Sequence, residues 1–157
     1  MKKSLCVSLV FLFVVGSSEG VRINYVTVDD GIIVNVPEGK MRLRVYSDRI
    51  VRVTVSPVDT FSTRPSLILS DKVEPSSAFK VSEAGDTIEV KTNELIAQVC
   101  PVSGSVRFLD KNRELVLCER SRNGRKMTEA VLGGEKTWNV RQQWESPRDE
   151  VSRGVGQ

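Results

Sequence analysis

Apolar and polar residues alternate with a period of two through most of the chain after Val21. Two neighbouring segments show the pattern well: residues 41–46 carry Met, Leu and Val at every second position, and residues 51–55 carry Val at every second position. Because successive side chains of a β-strand point to opposite faces, this alternation predicts strands with one buried and one solvated face. No comparable stretch has the period of an amphipathic helix.

Further strands are predicted between short sequences of turn-forming residues such as Asp-Gly, Pro-Glu-Gly and Asp-Lys-Asn. These strands are Asn24–Val28, Gly31–Val36, Thr87–Lys91, Glu94–Cys100, Ser105–Leu109, Glu114–Glu119 and Thr137–Glu145. Many short antiparallel strands at this spacing predict an all-β fold, an antiparallel β-sandwich.

Two stretches are less regular. Residues 57–80 are rich in proline and serine, and we expect a connection there that holds one short strand, Ser66–Leu69. Residues 120–136 carry the dipeptides Asn-Gly and Gly-Gly, which predict an exposed loop or a hairpin. We assign residues 21–145 to the β-sandwich domain and residues 146–157 to a linker segment.

The first twenty residues have the pattern of a secretory signal peptide. Lys2 and Lys3 precede the apolar run Leu5–Val15, and small residues follow it. A bilayer-spanning helix needs about 20 apolar residues, so a membrane anchor is the weaker interpretation of this shorter run. We expect cleavage near Ser18 or Gly20, removal of residues 1–20, and a secreted or periplasmic product that is not membrane-bound.

Composition narrows the function classes. The 157 residues include no histidine, which excludes Ser-His-Asp and Cys-His nucleophile pairs and His-containing zinc sites. A (β/α)8 barrel typically needs about 250 residues and does not fit in this chain. The net charge is only +3, with basic residues scattered along the sequence, so nucleic acid is not indicated. No metal-binding or cofactor-binding motif occurs, and we expect neither ligand.

Two cysteines remain after the signal, Cys100 and Cys118. If the predicted strands around them form a meander, one strand separates the two residues, and their distance is about two interstrand spacings of 4.7–4.9 Å. Bridged Cα atoms lie within roughly 7 Å of each other. We therefore expect two buried free thiols, although another strand order would permit a disulfide.

Carboxylates and tryptophans are the remaining candidates for sugar chemistry. The pairs Asp29-Asp30 and Asp149-Glu150 are adjacent in sequence and do not by themselves give the opposed geometry of a glycosidase. Trp138 and Trp144 fall on one face of a predicted strand, where they would form either a stacking platform for sugar rings or part of the core. Large aromatic residues on strands more often fill the core, so we expect burial.

The order of several segments resembles the N-terminal region of glycoside hydrolase family 31, which includes α-glucosidases and α-xylosidases. The resemblance covers residues 21–157. It is carried by MRLRVYSDRIVRV at 41–53, RPSL at 64–67, KTNEL at 91–95, GSVRF at 104–108, QQWE at 142–145, Asp149-Glu150, and GVGQ at 154–157.

This resemblance implies a galactose mutarotase-like β-sandwich packed against a separate catalytic (β/α)8 barrel. In the family the barrel supplies both catalytic aspartates, so no catalytic residue is carried over to this chain, which we expect to be a truncated or separately encoded fragment that stops before the barrel. The implied partners are that barrel and an oligosaccharide or polysaccharide. Gln157 would face the substrate site and joins Trp138 and Trp144 as a carbohydrate-binding candidate.

The leading hypothesis is therefore an exported, non-catalytic domain of a family 31-like α-glycosidase. A free-standing carbohydrate-binding sandwich is the alternative, and it is favoured if Trp138 or Trp144 is solvent-exposed on a concave surface. A structural sandwich protein is a third possibility. Mutarotase activity is the fourth, and the lack of histidine argues against it, because that chemistry, as the fold resemblance implies, uses histidine with a carboxylate.

Overall fold

A computed structural model describes residues 24–63, 74–76 and 78–146. Within these ranges the regular secondary structure consists of β-strands, and no helix occurs. Three predicted features lie outside the described residues. They are the signal peptide, the strand Ser66–Leu69, and residues 147–157 of the linker, which include Gln157. The strands are β1 (Tyr25–Val28), β2 (Gly31–Val36), β3 (Gly39–Ser47), β4 (Ile50–Ser56), β5 (Lys80–Ala84), β6 (Thr87–Lys91), β7 (Leu95–Val99), β8 (Val106–Asp110), β9 (Leu115–Cys118), β10 (Arg125–Leu132) and β11 (Glu135–Gln142).

The strands form three antiparallel sheets in which sequential strands are neighbours. The first sheet has the order β1-β2-β3-β4, and the second has the order β5-β6-β7-β8-β9. Strands β10 and β11 form a separate two-stranded sheet among the described residues, a hairpin whose turn is Gly133-Gly134. The all-β prediction is confirmed.

The hydrophobic core lies between the first and second sheets. Alternate residues of β2 and β3 point inward, and so do residues of β6, β7 and β8. Full burial of one such Val, Leu or Ile side chain contributes about 1.5–3 kcal/mol, so the two sheets hold each other as the layers of a sandwich. The core residues are Ile32, Val34, Val36, Met41, Leu43, Val45, Ile88, Val90, Ala97, Val99 and Val106.

Gly31 allows the first sheet to pair closely at the start of β2. Its φ is 154°, and a Cβ atom there would lie 1.8 Å from the carbonyl oxygen of Leu43. Only glycine combines this backbone conformation with so close an approach of the neighbouring strand.

The predicted strand bounds agree best where alternation is strong. Gly31–Val36 and Thr87–Lys91 match β2 and β6 in full. Strand β5 was not predicted, because Val81 is its one large apolar residue, and it is formed by pairing with β6. Residues 120–136, predicted as an exposed loop or a hairpin, contain β10, the first strand of the β10–β11 hairpin. Strand β11 ends at Gln142, whereas the predicted strand ends at Glu145.

The two cysteines are unbonded, and β8 separates their strands as the predicted meander requires. Both thiols are half-buried, so the expectation of full burial was wrong. Burial and the nearby carboxylate of Glu145 raise the pKa of Cys118, which keeps this thiol protonated and weakly nucleophilic at neutral pH.

Candidate functional site

An apolar groove runs between the edges of the two large sheets and the hairpin. Its volume is about 430 Å³. The inward faces of β4 and β8 form its floor, β9 contributes Leu117, and Trp144 stands at its wall. The lining residues are Val51, Val53, Val55, Val106, Phe108, Leu117, Arg125, Met127, Val140, Gln142 and Trp144.

A buried ion pair attaches the hairpin beside this groove. Glu119 follows β9 and is 1% exposed, and its carboxylate pairs with the buried guanidinium of Arg125 at the start of β10. The same carboxylate accepts hydrogen bonds from the backbone N–H of Val106 at 3.2 Å and from Gln142 Nε2 at 3.3 Å. Burial raises the pKa of Glu119 more than the charge of Arg125 lowers it. Glu119 therefore links the second sheet to both strands of the hairpin.

Trp144 lies next to this ion pair and not on β11. It forms an isolated antiparallel bridge with Glu119, and its side chain is 41% exposed. The backbone N–H of Glu145 donates to the carbonyl of Cys118 at 2.8 Å, which holds the segment against the end of β9. The expectation that Trp144 is a core residue was wrong, because it lines the groove and is exposed there.

Trp138 lies at a second cavity, of about 550 Å³, on the hairpin. Its side chain is 38% exposed, and Glu129 is its direct cross-strand partner. Glu129 and Lys136 line the same cavity. An exposed indole face with charged hydrogen-bonding groups beside it can stack on an apolar ring face and hold polar substituents. Burial in the core was also the wrong expectation for Trp138.

The structure thus separates the two predicted tryptophans instead of combining them into one platform. Trp144 lines the groove with Val140 and Gln142, whereas Trp138 lines the hairpin cavity with Val58 from the segment after β4. Glu129 and Lys136 were missed from the sequence. Counting outward from the Gly133-Gly134 turn would have paired Glu129 with Trp138.

Acidic residues form no second candidate site in the described ranges. Asp30 is held by Arg42 and Arg44, and Asp149-Glu150 lies outside these ranges. Among the residues that the structure covers, no group of three or more His, Cys, Asp or Glu side chains could hold a metal ion. The same part of the chain contains no helix that is long and apolar enough to cross a membrane.

No protein-family model matches this chain. Among solved structures, the GH31 α-xylosidase from Xanthomonas citri superimposes with a TM-score of 0.71 and 33% sequence identity. The match covers 78% of this chain and 14% of the α-xylosidase. This chain is a GH31-like partial domain. It spans about one seventh of the length of that enzyme.

Two more distant structures share the fold. A GH31 α-xylosidase from a soil metagenome, solved with xylose, has a TM-score of 0.62 at 20% identity, over 80% of this chain and 21% of that one. An uncharacterised protein from Listeria monocytogenes, solved with glucose, magnesium and calcium, has a TM-score of 0.52 at 16% identity, over 65% of this chain and 9% of that one. Both likenesses support the arrangement of strands in the GH31-like domain.

Proposed function

We propose that this GH31-like domain is the non-catalytic, carbohydrate-associated part of an α-glycosidase, which supports a catalytic (β/α)8 barrel and contacts the glycan. The observation that carries the proposal is the 33% identity to a GH31 α-xylosidase over 78% of this chain, against 14% of the enzyme. The remaining length of that relative has ample room for a barrel of about 250 residues.

A supporting role predicts that the chain alone hydrolyses no glycoside. The purified chain is incubated with 4-nitrophenyl α-xyloside and 4-nitrophenyl α-glucoside, and the absorbance of the released nitrophenolate is followed over time. We expect no turnover above the buffer rate. Turnover above the buffer rate would refute a non-catalytic role, and the paired substitution Asp149→Asn and Glu150→Gln would then show whether these two carboxylates or other groups of this chain carry the catalysis.

Contact with the glycan is assigned to Trp138. Its ring is accessible, and Glu129 and Lys136 supply an acceptor and a donor beside it. Isothermal titration with xyloglucan and α-glucan oligosaccharides should give heat that Trp138→Ala abolishes and Trp138→Phe largely retains. Thr128→Ala, an exposed change on the same hairpin outside the cavity, is the matched control. Equal heats for Trp138→Ala and the unchanged chain would remove Trp138 from the proposal.

A free-standing carbohydrate-binding sandwich is the second candidate. The exposure of both tryptophans at cavities favours it. The two candidates differ in their need for a barrel. The supporting role predicts that the chain restores activity to a GH31 α-xylosidase that lacks the matching region. The free-standing role predicts glycan binding without such restoration.

Export is a further part of the proposal, and it rests on the basic, apolar and small-residue pattern of residues 1–20. Expression with the native N-terminus, followed by mass spectrometry of the protein in the medium or periplasm, should find a chain that begins near Val21. An intact Met1 on all of the protein would refute export by this signal.

A further inference from the structure

The outer face of the first sheet carries like charges directly opposite each other. Alternation along β3 places Arg42, Arg44 and Tyr46 on the face opposite the buried Leu43. Arg52 of β4 is the cross-strand partner of Arg44. Directly opposed like charges destabilise an antiparallel strand pair, so the stability of the sheet alone gives no reason for this arrangement.

The carboxylate of Asp30 pairs with two of these arginines, Arg42 and Arg44. Arg42 Nη2 donates to both oxygens of Asp30, at 3.0 and 3.1 Å, and Arg44 Nε lies 2.8 Å from Asp30 Oδ2. In the described ranges Arg52 has no ion-pair partner. Each guanidinium has five N–H donors, and the buried Nε of Arg42 has no acceptor there. Donors therefore outnumber acceptors on this face.

Tyr46 adds a further donor at the same place. Its side chain is 8% exposed, and its hydroxyl oxygen accepts a hydrogen bond from Arg44 Nη1 at 3.2 Å. Burial raises the pKa of Tyr46, but hydrogen bonds from Arg44 and Arg52 outweigh that effect and leave the pKa below its usual value. Because the hydroxyl oxygen of Tyr46 accepts the hydrogen bond from Arg44, the O–H of Tyr46 is left to donate to another acceptor.

We propose that Arg44, Arg52 and Tyr46 form a binding site for a carboxylate on the outer face of the first sheet. A planar carboxylate matches the guanidinium fork and accepts two parallel hydrogen bonds. The side chain of Arg44 is 30% exposed and Arg52 is half-buried, so both side chains remain partly accessible from solvent. The carboxylate has two possible sources with the same chemistry, a uronic acid sugar or an acidic side chain of a protein. This site is independent of the function proposed above.

The test is an NMR titration of the whole chain, with the arginine Nε–H and backbone amide signals as readouts. The probes are sodium D-glucuronate, its neutral counterpart D-glucose, and N-acetyl-aspartate α-amide, which carries one carboxylate as an aspartate side chain in a protein does. We expect saturable shifts at Arg42, Arg44 and Arg52 with at least one carboxylate and none there with glucose. The tighter of the two carboxylates identifies the source. Arg52→Gln should weaken binding about ten-fold, since a hydrogen bond to a charged group is lost.

The matched control is Arg141→Gln, an exposed arginine of β11 for which we expect less than a two-fold change. Shifts of equal size with glucose, absence of shifts with both carboxylates, or equal weakening by the two variants would each overturn the proposal. Thermal unfolding without ligand gives an independent readout. Removal of the opposed charge should keep or raise the melting temperature of Arg52→Gln, and a marked fall would assign Arg52 a structural role instead.

Discussion

The ion pair between Glu119 and Arg125 allows a sharp test of how the hairpin is held. Glu119→Ala removes a carboxylate that is 1% exposed and leaves the guanidinium of Arg125, whose side chain is 5% exposed, without its charged partner. Breaking a buried pair from one side costs about 3–5 kcal/mol. Native domains have about 5–15 kcal/mol of total stability, so the variant should lose a large part of the free energy of unfolding.

Urea unfolding followed by two probes measures this loss. Circular dichroism reports on all the sheets, whereas tryptophan fluorescence reports on the hairpin and its attachment, because Trp138 lies on β11 and Trp144 bridges to Glu119. The fluorescence transition should move to lower urea by at least as much as the circular dichroism transition. Glu83→Ala, an exposed change on β5, is the control.

The paired substitution Glu119→Leu and Arg125→Met separates charge from packing. Replacement of a buried ion pair by apolar residues of similar volume is often neutral or stabilising, so this variant should recover the part of the stability that the unpaired charge of Arg125 costs in Glu119→Ala. The recovery should be incomplete, because the backbone N–H of Val106 still lacks the acceptor that Glu119 supplied. A loss below about 1 kcal/mol in Glu119→Ala, in the range of an ordinary exposed pair, would refute the reasoning that this pair is buried and fastens the hairpin.

Two further predictions concern the large sheets. Gly31→Ala should lower the melting temperature strongly, because the added Cβ would lie 1.8 Å from the carbonyl oxygen of Leu43. Gly85→Ala is the control and should lower it less, because no atom lies within 4 Å of the added Cβ. Equal effects of the two substitutions in differential scanning calorimetry would contradict this. Hydrogen bonds from Arg113 hold the pKa of Glu89 below its usual value. The stability from this carboxylate is therefore present above its unfolded pKa and is lost as the pH falls through its folded pKa. Arg113→Gln should reduce that loss on acidification, and unchanged pH dependence of urea unfolding would contradict the assignment.

The core of the sandwich could be predicted from the sequence because the alternation that marks each core strand lies within the residues of that strand. In β2 and β3 every second residue is apolar, so both the strand and its buried face follow from the pattern. Strand β5 lacks that pattern, and it exists because its backbone pairs with β6. A strand that is held by its neighbour has little signal in its own residues.

The candidate site was harder to predict because it depends on which faces remain uncovered. The positions of Trp138 and Trp144 were visible from the sequence, but their exposure depends on the hairpin lying across the edges of the two large sheets and not inside the core. Glu119 illustrates the same limit. A glutamate after an apolar strand is usually solvated, and its burial requires Arg125 and Gln142 to reach it from the hairpin.

The attachment of the hairpin connects the two tryptophan sites to each other. Glu119 binds Arg125 and Gln142, which lie at the open ends of β10 and β11, whereas Trp138 lies nearer the turn. Loss of the ion pair should disturb Trp144 at once, because Trp144 bridges to Glu119 itself. Trp138 and Glu129 are held together by the pairing within the hairpin, so their cavity wall can persist when the attachment weakens. Glycan binding that survives Glu119→Ala would therefore place the contact at Trp138, and binding lost together with the attachment would place it in the groove of Trp144.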